Sequence, residues 1–128
     1  MKQFWGVWDN ITDVADAFCN PLIPMTVRDV IYARYSAYGR PDNDYEMWAR
    51  VLFVGCDNKL HEVHASHCSC FGLEGQWAPE VVSVADIIND LRLETWQYGD
   101  DKESQRKAII ANLSRHFPQY FEETTRGL

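Results

Sequence analysis

The sequence predicts an α+β fold: a small antiparallel β-sheet, a three-stranded meander, packed with two C-terminal helices and a short N-terminal helix. Three observations carry that expectation. In YEMWARVLFVGCDNKLHEVHA, residues 45–65, two apolar-rich runs flank CDNK, and the adjacent Asp57 and Asn58 tolerate the left-handed angles of a tight hairpin turn. The run VRDVIYARYSA, residues 27–37, is dense in β-branched and aromatic residues and supplies a third strand across the turn GRPDND. From Ser83 onward the apolar residues recur at helical rather than strand spacing.

Taken in order, DNITDVADAFCNP reads as a short helix, with Asp9, Asn10 or Thr12 as the N-cap and Ile11, Val14, Ala15 and Phe18 on one face. Pro21 and Pro24 prevent its continuation. In the meander the candidate buried positions are Trp48, Val51, Phe53, Leu60 and Val63. SVADIINDLRLETWQ opens with Ser83 and Asp86 three residues apart, an aspartate version of the capping box, and offers Ile87, Leu91 and then Leu93 or Trp96 to a core. DDKESQRKAIIANLSRHF opens with Asp100 and Asp101, acids suited to a helix N-terminus, turns Ile109, Ile110 and Leu113 inward and stops before Pro118. His116, near the end of that helix, suits the negative end of its dipole.

A chain of 128 residues falls in the range of one domain, 1–128, and can bury a core without covalent staples. Hydrophobic residues at 46% and aromatics at 13% exclude a disordered chain. No apolar run approaches the roughly 18 residues that span a bilayer, and MKQFWGVWDN lacks the apolar stretch of a signal peptide. The expected location is the cytoplasm. There Cys19, Cys56, Cys68 and Cys70 are expected to be thiols or metal ligands rather than a disulfide framework.

The formal charge of −7 is unevenly spread. Residues 67–99 carry Glu74, Glu80, Asp86, Asp90 and Glu94 against Arg92 alone. No stretch clusters Lys and Arg as phosphate contacts require, so direct nucleic-acid binding is disfavoured and a partner with a basic surface is favoured. Trp5 and Trp8 lie on a segment too short to bury both deeply, which makes them candidates for a homodimer or partner contact beside their ordinary role in a core.

The segment HEVHASHCSCFGLEGQWAPE, residues 61–80, concentrates three histidines and two cysteines in its first ten positions. Within it SHCSCFGLEGQWAPE, preceded by strand-like EVHA and followed by a capped helix, resembles a segment of small uncharacterised proteins encoded by tailed bacteriophages. The resemblance covers mainly residues 45–92 and rests on His67, Cys68, Cys70, Gly72, Leu73, Glu74, Gly75, Gln76, Trp77 and Pro79; His61, His64, Cys19 and Cys56 stand outside it. It implies an intracellular accessory protein acting in an infected bacterium, by binding a host protein such as a component of antiviral defence.

Three chemistries compete for the segment. A structural zinc could take Cys68 and Cys70, which point the same way in an extended chain, with His64 or His67 third and Cys19 or Cys56 fourth, although the usual CxxC knuckle is absent. A thiolate nucleophile could use Cys68 or Cys70 with His67, and Glu74 as the orienting acid, but residues 67 and 68 point apart in a strand. The structural reading treats SHCSC as a close-packed connection: Gly72 and Gly75 turn the chain, buried thiols behave as compact apolar groups, Leu73 and Trp77 anchor the loop, and Glu74 and Gln76 satisfy backbone groups. That reading comes first, metal second and catalysis third. The expected function is accordingly binding without a resident cofactor, as an inhibitor or modulator of a host protein, with a zinc-stabilised module as the alternative. The acids at 74, 80, 86, 90 and 94 are the candidate contact surface.

Overall fold

A computed structural model of the chain describes residues 1–36, 47–68, 72–93, 96 and 101–121; the expected turn at 39–44, Cys70, Glu94 and Asp100 lie outside the described residues. The fold is α+β. The expected meander is present as β2 (Val27–Ser36), β3 (Met47–Gly55) and β4 (Leu60–His67), each antiparallel to the next. Among the described residues it is the centre of a larger, mixed sheet of five strands in the order β1-β2-β3-β4-β5, which corrects the purely antiparallel expectation. β1 (Phe4–Gly6) runs parallel to β2 on one edge, and β5 (Glu80–Val81) antiparallel to β4 on the other. The chain falls into two compact units, one of residues 4–81 and one of residues 1–3 with 82–128.

In the unit of residues 4–81, helix α1 (Ile11–Ala17) starts where Asn10 caps it, its side chain accepting from the Asp13 amide at 3.0 Å, while the Asp13 carboxylate accepts from the Asp9 amide at 2.8 Å. Val14, Ala15 and Phe18 are buried, as the spacing requires. A left-handed Cys19, at φ 52°, breaks the helix, and Pro24 then occupies the first turn of a second short helix, α2 (Ile23–Thr26), which the sequence did not signal. One core joins Val14, Phe18, Ile23, Val51, Phe53, Val63 and Leu73. β3 buries consecutive residues from Val51 to Gly55, so both faces of the sheet are buried at its centre rather than one. Trp48 alone of the five expected strand positions is half-buried, with the Arg34 guanidinium 5.5 Å from its ring centre.

The N-terminal tryptophans correct an expectation. Trp5 and Trp8 are only 7% and 3% exposed, so the exposure that suggested a contact role is not there. The reason is that their segment enters the sheet as β1 instead of lying on the surface. Gly6, at φ 70°, lets the chain leave β1 against Tyr35, and Val7 donates to the Tyr35 carbonyl at 3.1 Å. Trp8 then packs against Tyr35 and Phe18, with ring centres 5.3 and 6.1 Å away.

In the other unit, helix α3 (Val84–Arg92) is capped by Ser83, whose hydroxyl accepts from the Asp86 amide at 3.4 Å. Val84, Ile87 and Leu91 are buried; of the two later candidates Trp96 is buried at 3% and Leu93 is 64% exposed. Helix α4 (Lys102–His116) buries Ile109 and Leu113 as expected, leaves Ile110 half-buried, and also buries the polar Gln105 and Asn112. The Asn112 amide donates to the Lys2 carbonyl at 3.3 Å, which ties the N-terminal segment into this unit. Among the described residues no helix is long and apolar enough to cross a membrane.

Candidate functional site

The turn between β3 and β4 assembles the most chemically organised cluster in the unit of residues 4–81. The Asn58 amide donates to the Gly55 carbonyl at 2.9 Å, the Gly55 amide to the Lys59 carbonyl at 3.0 Å, and Asn58 takes the left-handed angle, φ 64°. Asp57 keeps ordinary angles and instead uses its carboxylate, which accepts from the Lys59 amide at 3.1 Å. The same carboxylate lies 2.9 and 3.0 Å from Nε2 of His61, one strand residue beyond the turn. The His61 hydrogen bond, then that of the Lys59 amide, holds the Asp57 carboxyl below its usual range. An ionised carboxylate only accepts, so Nε2 of His61 carries the proton of this contact.

His61 is positioned by pairing opposite Phe53 on β3, and the two rings stack at 5.2 Å and 10°. Trp77, arriving from the loop after β4, stacks on Phe53 at 5.5 Å and 15° and meets Phe18 edge-on at 5.1 Å. Gly55 leaves room for the pair: a methyl group there would come within 2.8 Å of the Asp57 carboxylate and 2.9 Å of Nε2 of His61. Phe53, His61, Trp77 and Asp57, with Thr26 and Cys56, border a recess of about 250 Å³. The Cys56 thiol donates to the Met25 carbonyl at 3.4 Å.

Residues 61–80 divide between this recess and structural roles. Nδ1 of His67 lies 2.7 Å from the Cys68 carbonyl and must donate to it; Nε2 then accepts from the Tyr35 hydroxyl. Burial, and secondarily the charge of Glu74, push the Tyr35 phenol up, which keeps it a donor. His64 lies 2.7 Å from the Glu62 carboxylate, whose other oxygen takes two Arg50 contacts at 3.0 and 2.8 Å. In the loop, Gln76 donates its amide hydrogen to the Leu73 carbonyl at 3.1 Å, with Gly75 at φ 78° in the position of a type II turn that demands it. The Gln76 side chain bonds the Ser66 backbone in both directions, accepting from its N–H at 3.1 Å and donating to its carbonyl at 2.9 Å. Leu73 is buried at 1% exposure and Trp77 packs on Phe53 and Phe18, so both anchor the loop as expected, and of the two residues expected to satisfy backbone groups Gln76 does so.

One expectation for this segment changes. Cys68 is exposed, not a packed apolar group; it stands one residue beyond the end of β4 at His67. Of the candidate ligands, His67 uses both ring nitrogens on the backbone and Tyr35, and His64 lies on Glu62. Among the described residues no three of His, Cys, Asp and Glu are grouped to hold a metal, and Cys19 and Cys56 are exposed. Of the candidate contact acids, Glu74, Glu80 and Asp86 are exposed and Asp90 is partly so.

The sequence reasoning missed the Asp57–His61 pair. Its signal was the spacing: an acid inside a hairpin turn and a histidine four residues on, at the start of the returning strand, are brought side by side by the turn itself. The chain matches no protein-family model, no curated protein and no solved structure at a significant level.

Proposed function

We propose that the protein acts by binding, as a phage-encoded accessory protein that inhibits or modulates a host protein presenting a basic surface. The observation that carries the reading is α3. Its buried side, Val84, Ile87 and Leu91, is separate from Asp86, which is exposed beside the equally exposed Ala85 and Asn89. Beyond its place in the first turn of α3, this acid belongs to a stretch with five acids and one arginine between residues 67 and 99. Glu74 and Glu80 are exposed in the other unit and add to the acidic character. The resemblance of the SHCSC to GLEGQW segment to phage proteins supports the setting, an infected bacterium.

The test is kinetic. A partner captured from host lysate should associate with the native chain more slowly as salt rises, because long-range attraction between opposite charges is screened. Asp86→Lys with Asp90→Lys should slow association by about tenfold at low salt without loss of helical circular dichroism. A partner that binds equally fast at low and high salt and tolerates both reversals defeats the proposal.

A further inference from the structure

We infer that the recess beside the β3–β4 turn is a receptor for one arginine side chain of a protein partner, its guanidinium lying on the aromatic wall and its N–H groups meeting the Asp57 carboxylate. The inference rests on the proposed binding of a basic partner and names the contact within it. Size comes first: about 250 Å³ is below the ~300–1,000 Å³ of pockets that enclose whole small molecules, and suits a single long side chain.

The polarity of the recess selects a donor. Two of its neutral donors are turned toward main-chain carbonyls, the Thr26 hydroxyl to Ile23 at 3.1 Å and the Cys56 thiol to Met25 at 3.4 Å. Beside the Trp77 indole N–H, the charged group of the lining is an acceptor. The Asp57 carboxylate takes His61 at both oxygens and the Lys59 amide at Oδ1, which leaves acceptor capacity at Oδ2. No Lys or Arg lines the recess, and its one basic side chain, His61, meets the carboxylate through a single nitrogen.

The wall selects a flat cation over a compact one. His61 and Trp77 each stack on Phe53, within 10° and 15° of parallel, so a cation must lie on a ring face that this stack leaves open, and Trp77 offers the ring type that attracts cations best. A planar, weakly hydrated guanidinium stacks on such a surface while donating sideways; an ammonium must keep its water or lose it at a cost. The chain already uses the same contact internally, where Arg34 lies 5.5 Å over the Trp48 ring.

The experiment is a nitrogen-15 NMR titration of the full chain with N-acetyl-arginine amide, its lysine counterpart and its neutral isostere N-acetyl-citrulline amide. The arginine probe should shift the Trp77 indole N–H and the amides of residues 55–61 at millimolar concentration, and citrulline should not. Asp57→Asn, which can still accept from the Lys59 amide, should weaken the arginine response about fivefold, the scale of an exposed ion pair. Equal shifts with citrulline or lysine, an unchanged response in Asp57→Asn, or no response at all would each overturn the assignment. The captured partner separates the two readings: association that falls with the α3 reversals but ignores Asp57→Asn removes the recess and leaves the binding function standing.

Discussion

Glu62 shows how a carboxylate in the body of a sheet stays ionised. Its side chain and that of Arg50 are only 10% and 12% exposed. Burial works to raise the Glu62 pKa, but the hydrogen bond to His64 and the charge and hydrogen bonds of Arg50 together outweigh it, and the net displacement is downward from 4.5. A carboxylate whose folded pKa is depressed contributes stability that is fully present above its unfolded value and is lost as pH falls through the folded one. Glu62→Gln should therefore destabilise the protein by about 1–3 kcal/mol at neutral pH, the cost of exchanging charged hydrogen bonds to Arg50 for neutral ones. The loss should shrink as pH falls through the range below 4.5, where the native carboxylate is itself titrated. Urea midpoints at pH 7 and pH 3.5 check it; an equal loss at both would mean that shape, not charge, is what Glu62 supplies.

At the scale of elements, two glycines with similar angles separate strain from collision. Gly6 has φ 70° and a methyl group there would sit 2.1 Å from the Tyr35 carbonyl oxygen; Gly75 has φ 78° and open space around it. Gly75→Ala should cost about 1 kcal/mol, the backbone strain alone. Gly6→Ala should cost at least about 2 kcal/mol more and detach β1, because backbone cannot yield as a side-chain tip can. Thermal melts of the two variants, with amide exchange of residues 4–7, read both effects. The sequence showed the longer elements and those with a cap or turn signal: α1 with Asn10 among its candidate caps, the hairpin through Asn58, α3 behind Ser83, and α4. It did not show β1, β5 or α2, since two to four residues are too few to establish a period and their pairing depends on strands distant in the chain. The expectation of one buried sheet face failed at β3 for a related reason: a run such as VLFV reads the same whether one face or both are covered.

For the molecule as a whole, the charge of −7 governs encounters with other molecules rather than the fold. The candidate site was half legible on the same terms. His61 to Pro79 stood out by composition, but which of its side chains met each other depended on the turn and on β2, so His67 proved to serve Tyr35 and His61 to serve Asp57. Gln76 has a consequence between molecules. Among the described residues β5 pairs with His61 and Glu62 of β4, and farther along that edge the Gln76 amide occupies Ser66 as a neighbouring strand would. A side chain thus plays the part of a peptide bond and closes the end of the sheet to strangers. Gln76→Leu should reopen it, and sedimentation velocity should then find a mean mass that climbs with concentration more steeply than that of the native chain. If the variant loses stability but sediments like the parent, the amide only fastens the loop and solubility is guarded elsewhere.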